Sequence, residues 1–304
     1  MQPELNGILL VDKPASITSA KVVSRIKKIF GARKVGHTGT LDPFATGILV
    51  CCINRGTKLA RFFLHGNKKY EAVLYLGIET DTQDSTGIVT STRDNVLFSE
   101  IKIRSVLNQF KGTIEQIPPV YSALKSKGTP LYKLARRGNP VQKPARRITI
   151  FNIEILRINL PLIHFSVSCS AGTYIRTLCA DIGKFLGCGG HLKELRRIQS
   201  GGFSITEALK LSEIENFALS GKISDRIISM SNALQDMPEH IADKALAKKI
   251  MHGNIITKKD LRPIHTETSE GFIKIVDTNN NLIAVLKDTK KRNRLSYCCV
   301  FNIN

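Results

Sequence analysis

The 304-residue sequence predicts an α+β fold with a small, strand-rich tail. Three observations predict it. Runs with strand texture and runs with helical spacing are interleaved without the steady strand–helix–strand alternation of a doubly wound sheet. A basic, proline-rich stretch from Pro118 to Arg147 interrupts the pattern, and the texture changes again near residue 238. The length suits one large domain plus a smaller one, divided here as 1–237 and 238–304.

Gly7 to Val11 reads as a short buried strand. From Ser19 to Phe30, Val22, Val23, Ile26, Ile29 and Phe30 fall on one helical face, and Gly31 ends the helix. The apolar run Ile48 to Ile53 is a second buried strand, and Tyr70 to Leu76 alternates like a strand with one face covered. Ser99 caps a helix that reaches Phe110. Ile148 to Ile158 and Leu162 to Cys169 form a strand pair around Asn159 and Pro161, followed by a helix from about Tyr174 to Leu186 with Gly187 behind it. The run Leu192 to Arg197, Leu-Lys-Glu-Leu-Arg-Arg, reads as amphipathic helix. In the tail, a helix from Ala245 to Met251 stops at Gly253, and strands follow at Phe272 to Val276, Leu282 to Leu286 and Ser296 to Phe301. Asn279, Asn280 and Asn281 make a hairpin turn.

Lys and Arg number 45 against 25 Asp and Glu, a net charge of +20 that implies a polyanionic partner. No apolar run approaches the roughly 20 residues that span a bilayer, and the N-terminus lacks a signal-peptide pattern, so a cytoplasmic protein is expected. The seven cysteines contain no Cys-x-x-Cys pair, which argues against a zinc site or a disulfide framework and reads most of them as small buried apolar residues. No phosphate-cradling Gly-x-x-x-x-Gly-Lys loop or dinucleotide fingerprint is present, so no nucleotide cofactor is expected. Pro118 to Arg147 carries Lys125, Lys127, Lys133, Arg136, Arg137, Lys143, Arg146 and Arg147 with no acidic residue, and five prolines make it loop-rich. So one-sided a run repels itself unless a polyanion is near, and RNA contact is expected there.

The stretch Gly36 to Leu49 reads Gly-His-Thr-Gly-Thr-Leu-Asp-Pro-Phe-Ala-Thr-Gly-Ile-Leu. Its glycines permit close backbone approach, and Pro43 bars Asp42 from the helical region, so one carboxylate sits on a stiff corner ahead of a strand. His37 and several Thr hydroxyls lie beside it. On the residues alone, this is equally an ordinary turn.

Five ordered blocks carry a resemblance. They are Gly7 to Ser19, the Asp42 loop, Lys69 to Gly87, Ile117 to Lys125 (Ile-Pro-Pro-Val-Tyr-Ser-Ala-Leu-Lys) and Cys169 to Arg176 (Cys-Ser-Ala-Gly-Thr-Tyr-Ile-Arg). On these blocks the chain resembles bacterial tRNA pseudouridine synthases of the TruB family. The resemblance implies a mixed, mainly antiparallel sheet flanked by helices. It also implies a C-terminal PUA-like β-barrel whose basic residues would be Lys287, Lys290, Lys291, Arg292 and Arg294. The implied activity, without cofactor or metal, is isomerisation of uridine to pseudouridine at position 55 in the T-loop of tRNA, with the base flipped from its stack; a monomer is the default expectation.

Carried over position by position, Asp42 is the catalytic carboxylate, either a nucleophile toward ribose C1′ or a base removing a C2′ proton. Arg176 pairs with it and is expected to lower its pKa. Tyr70 stacks on the target uracil and is placed to help remove the C5 proton, Leu195 is the opposite wall of the base pocket, and Tyr174 belongs to the same substrate-binding block. His37 wedges into the RNA loop where the base has left. Asp84 contacts loop nucleotides, or equally caps a turn. Lys125, Lys133, Arg136 and Arg137 belong to a mobile thumb at 118–147 that closes over the RNA. Lys13 and Pro14 lie beneath the Asp42 loop in a structural role. Many relatives have Lys where Ala171 stands, which removes one phosphate contact. The rival readings are a guide-RNA-dependent relative, disfavoured by the long basic insertion and the modest tail, and a non-catalytic tRNA-binding folding helper.

Overall fold

Two strands covered on both faces organise the N-terminal half of the computed structural model, which describes residues 4–261, 271–289 and 293–301. Gly7–Lys13 pairs antiparallel with Thr46–Ile53, setting Leu9 against Cys51 and Val11 against Leu49. These four side chains face the helices Ser19–Ile29 and Leu211–Leu219, while Ile8, Leu10, Ile48, Val50 and Cys52 pack on the other side against Phe203 and Ala233. Double coverage explains why both strands read as continuous apolar runs rather than alternating ones.

From these strands a ten-stranded sheet extends in the order Leu209–Lys210, Gly7–Lys13, Thr46–Ile53, Gly190–Ser200, Lys68–Leu76, Leu162–Cys169, Arg146–Asn159 and Gly112–Gln116. Val35–His37 pairs with Thr46–Ile53, and Phe203–Ser204 with Gly190–Ser200. All contacts are antiparallel except Leu209–Lys210 on Gly7–Lys13 and Gly190–Ser200 on Thr46–Ile53. Helices Glu100–Gln109 and Ile175–Leu186 cover one face of the second half, packing Ile103, Val106, Leu178 and Ile182 on Leu74, Phe165 and Val167. Both helices end as their sequences predict. Ser99 Oγ accepts from Lys102 N at 3.3 Å, and Gly187 closes the second in the left-handed region at φ 83°.

Two expectations change. Leu192 to Arg197 is strand, lying within Gly190–Ser200 between Lys68–Leu76 and Thr46–Ile53. Pairing on both edges overrides the local helical preference of Leu-Lys-Glu-Leu-Arg-Arg, and two register shifts, at Leu192/Glu194 and Arg197/Gln199, blur the two-residue period that would have revealed it. The Tyr70 strand is also covered more fully than one-face alternation requires, because Ala72, Val73 and Leu74 are all buried.

The C-terminal sheet has five strands in the order Glu239–Ile241, Phe272–Val276, Leu282–Asp288, Arg294–Val300 and Ile256–Thr257. Helix Lys244–Met251 closes it through Leu246 and Ile250. A shared apolar cluster of Leu59, Leu234, Val276, Val285 and Phe301 fastens it to the main body, with the Phe62 and Phe272 rings edge to face at 5.3 Å. Of the tail's basic residues, Lys290, Lys291 and Arg292 lie outside the described residues. Cys51, Cys52, Cys169, Cys179 and Cys188 are buried, and Cys298 and Cys299 partly so.

Gly47 stands where the central strands meet, at φ 102°, and a Cβ there would lie 2.2 Å from the Arg197 carbonyl oxygen. Gly47→Ala is expected to cost more than about 2 kcal/mol, read as a lowered melting temperature. An unchanged melting temperature would contradict this packing.

Candidate active site

The corner carrying Asp42 is pinned on both sides. Ser19 Oγ accepts from Leu41 N at 2.9 Å and donates to Leu41 O at 3.0 Å, and Thr38 N donates to Val50 O at 3.1 Å. Behind Asp42, the fully buried Lys13 spends its three N–H groups on carbonyls: Ile17 at 2.7 Å, Pro14 at 2.8 Å and Pro43 at 3.1 Å. Burial pushes the Lys13 ammonium down to about 8, with Asp42 acting the other way. The structural role expected of this Lys-Pro pair is therefore concrete: it clamps the residue that follows the acid.

Arg176, in the first turn of Ile175–Leu186, forms an ion pair with the Asp42 carboxylate, with Nη2 as the hydrogen-bond donor and Nε close but not aligned to donate. Nε lies 2.9 Å from Oδ2, and Nη2 lies 3.3 Å from Oδ1. The guanidinium is itself held by Thr82 O at 3.0 Å and Tyr121 O at 2.9 Å. It is only 4% exposed, whereas the Asp42 side chain keeps 33% of its surface open. One partner is built into the wall and the other faces the cleft. Arg176 lowers the Asp42 pKa as expected, yet the net shift is upward. Burial is the largest influence and pushes the carboxyl up, Arg176 opposes it, and the nearby Asp84 carboxylate adds to the rise.

Asp42 opens on a cavity of about 340 Å³ lined also by Tyr70, Tyr174, Arg176, Leu195 and Arg197. That volume lies in the range of small-molecule pockets. Strand pairing sets the walls: Tyr70 is opposite Arg197 and Ala72 opposite Leu195, so Tyr70 and Leu195 are diagonal neighbours on one sheet face. Burial pushes the Tyr70 phenol up, and the Arg197 guanidinium opposes that rise. Tyr174 is fixed by Gln116, whose Oε1 accepts from Tyr174 N at 2.8 Å and whose Nε2 donates to Tyr174 O at 3.0 Å. The Arg146 guanidinium lies 4.8 Å from its ring centroid. A larger cavity of about 500 Å³ at the junction with the C-terminal sheet is lined by Phe62, Phe63, Phe203 and Phe272. Asp236 is its single charged residue, and it includes none of the predicted site residues.

Asp42, Tyr70, Tyr174, Arg176 and Leu195 are thus brought together; the other predicted residues are not on the cavity wall. Asp84 sits behind Arg176, Oδ2 at 3.6 Å from Nε, while its Oδ1 accepts from Thr82 Oγ1 at 2.8 Å, Thr86 N at 2.9 Å and Thr86 Oγ1 at 2.6 Å. His37 lies on the short strand leading into the loop, its Nδ1 buried without a hydrogen-bond partner, and burial pushes its pKa down. Lys125, Lys133, Arg136 and Arg137 are exposed on the basic insertion, which holds a short hairpin and helix Leu131–Arg136. The insertion reaches the cavity through Ser122, Ala123 and Leu124. Ala171 lies between the lining residues Ser170 and Gly172, and Arg146 hydrogen bonds to Gly172 O.

Sequence reasoning missed Arg197 and Lys68, both buried and both lining the cavity. Reading Leu192 to Arg197 as strand would have put Leu195 and Arg197, two residues apart, on one face. Among the described residues no group of three His, Cys, Asp or Glu side chains is arranged to hold a metal, and no helix is long and apolar enough to cross a membrane.

Residues 27–175 match the family described as TruB family pseudouridylate synthase (N terminal domain), and residues 176–238 match the tRNA pseudouridylate synthase B C-terminal domain. The chain is 48% identical over 234 residues to tRNA pseudouridine synthase B of Syntrophotalea carbinolica, covering 77% of this chain and 76% of the relative. It is 45% identical over 230 residues to the protein of that name in Geobacter sulfurreducens, covering 76% of each. Among solved structures, it resembles a chain of a Cbf5-Nop10-Gar1 complex (TM-score 0.76, 27% identity, covering 98% of this chain and 84% of that one). A second is an H/ACA RNP bound to a substrate RNA containing 2'-deoxyuridine (TM-score 0.74, 26% identity, covering 98% and 85%).

Because Arg176 pulls the Asp42 pKa down against burial and Asp84, its removal leaves those two upward influences opposed only by Lys13. If activity needs the carboxylate, it rises with pH through the Asp42 pKa. Arg176→Met is expected to move the acid limb of the rate profile to higher pH, with Arg176→Lys in between. An acid limb at the same pH in all three proteins would detach Arg176 from the ionisation of Asp42.

Proposed function

The chain belongs to the TruB family of pseudouridylate synthases, and from that premise we propose that it isomerises uridine to pseudouridine in tRNA, at position 55 of the T-loop. The observation that carries this reading is the arginine-gripped carboxylate at the mouth of a pocket walled by an aromatic and an aliphatic side chain. A flipped uracil would lie between Tyr70 and Leu195 with its ribose toward Asp42. Extrusion costs a few kcal/mol, less from a loop than from a duplex. Asp42 then bonds to C1′ or takes a C2′ proton as the N1–C1′ bond breaks and N1 keeps the electron pair. The ring turns and C5 bonds to C1′ as the Asp42–C1′ bond breaks or, on the other route, as C2′ regains its proton from Asp42; the C5 proton then leaves and N1 ends protonated.

We assign residues 1–237 to catalysis and 238–304 to a PUA-like RNA-binding unit. The protein acts as a cytoplasmic monomer, with His37 and Asp84 contacting the RNA loop and the 118–147 segment clasping the stem. Identities of 45–48% to proteins named for tRNA, against 26–27% to chains of an H/ACA RNP and a Cbf5-Nop10-Gar1 complex, favour the tRNA reading over the guide-dependent one.

Purified protein is expected to release tritium from [5-³H]uridine in an unmodified tRNA transcript, and Asp42→Asn to release none. Equal release by both proteins, or none by either, would contradict the assignment. Replacing Lys133, Arg136 and Arg137 with Ala is expected to weaken tRNA binding and to reduce the slope of log affinity against log salt by up to about 2. Turnover of bound RNA should change less, and an unchanged slope would remove these residues from the interface.

A further inference from the structure

Arg197 is 1% exposed and, among the described residues, forms no ion pair. Its neighbour Arg196 is answered by both oxygens of Asp12, at 3.0 and 2.8 Å. Arg197 instead donates to two neutral carbonyls, Ile48 O at 2.8 Å and Gly39 O at 3.0 Å. These hydrogen bonds hold the guanidinium without giving its charge an ion-pair partner, an expensive state in a protein interior. That charge acts on its surroundings, since it disfavours protonation of Lys13, His37 and Lys68. It stands in the wall of the Asp42 cavity, across the strand pair from Tyr70.

A cation fixed beside a cavity and left without an anion is arranged for negative charge that appears during turnover. The proposed reaction creates one. When N1–C1′ breaks, the electron pair stays on N1 and spreads over O2 and O4 of the freed uracil. Arg176 cannot serve it, being committed to Asp42 and two carbonyls. We infer that Arg197, held rigid by Ile48 O and Gly39 O, is the electrostatic support of the departing uracil anion, acting from behind Tyr70. The inference rests on the synthase reading above. It assigns the charge, not only the bracing, of Arg197 to the bond-breaking step.

The test compares single-turnover conversion of uridine and of 5-fluorouridine at the target position of the same transcript, read as loss of the starting nucleoside after digestion. Fluorine makes N1 more acidic, so its anion leaves with less help. Arg197→Gln keeps hydrogen-bond donors and removes the charge; Arg197→Lys keeps the charge. The Gln variant is expected to slow uridine about 100-fold and 5-fluorouridine at least about tenfold less, while the Lys variant keeps a ratio near that of the wild type. Each ratio is taken within one preparation, so a partly unfolded variant does not distort it. Equal slowing of both nucleosides by the Gln variant, or a loss confined to tRNA affinity, would overturn the inference. Failure of the synthase reading looks different, since the wild type would then convert neither nucleoside.

Discussion

The ion pair between Arg176 and Asp42 is the contact on which the rest of the site depends. It joins the loop after Val35–His37 to the first turn of Ile175–Leu186, positions 134 residues apart in the chain. Because the guanidinium also takes the carbonyls of Thr82 and Tyr121, the same side chain ties in the Asp84 turn and the base of the basic insertion. Four segments converge on one planar group, whose spread of donors serves a carboxylate and two carbonyls at once. The carboxylate is left half in the cleft and its partner wholly in the wall, an asymmetry that keeps the acid available and the cation unable to follow solvent.

Cations elsewhere in the site are used in the same way. Lys13 closes on Pro43 O, Lys68 on Leu64 O at 2.8 Å and on Gly66 O, and Arg197 on Ile48 O and Gly39 O. Each links one strand to the loop that shapes the pocket, and each brings positive charge inward. The exposed charges of the 118–147 insertion serve another purpose, drawing a polyanion through a screened field. The interior cations are fixed by backbone acceptors and are costly unless negative charge enters the cavity. A site of this kind is stable but poised for an anionic ligand or intermediate.

Much of this was legible in the sequence where local signals were strong. Ser99 and Gly187 bounded their helices through capping chemistry that needs no tertiary context. Asp42, Tyr70, Tyr174, Arg176 and Leu195 were named from ordered motifs, and the fold gathers them round one cavity. Arg197 escaped notice because Leu192 to Arg197 has helical texture and becomes strand only through partners on both edges, a non-local effect. The upward shift of Asp42 escaped for a related reason. An Arg partner is visible in a motif, whereas the depth at which the pair is buried, and the Asp84 carboxylate behind it, depend on the whole fold.

The central claim is that Asp42, held by Arg176, meets the sugar of a base lodged between Tyr70 and Leu195. A crystal structure of the protein with a T-loop stem-loop carrying 5-fluorouridine at the target position tests it most directly. The fluorinated ring should lie against Tyr70 and Leu195, with its ribose C1′ within contact distance of the Asp42 carboxylate and the Arg176 grip intact. A target base still stacked in the RNA loop, or one seated at the junction with the C-terminal sheet, would contradict it.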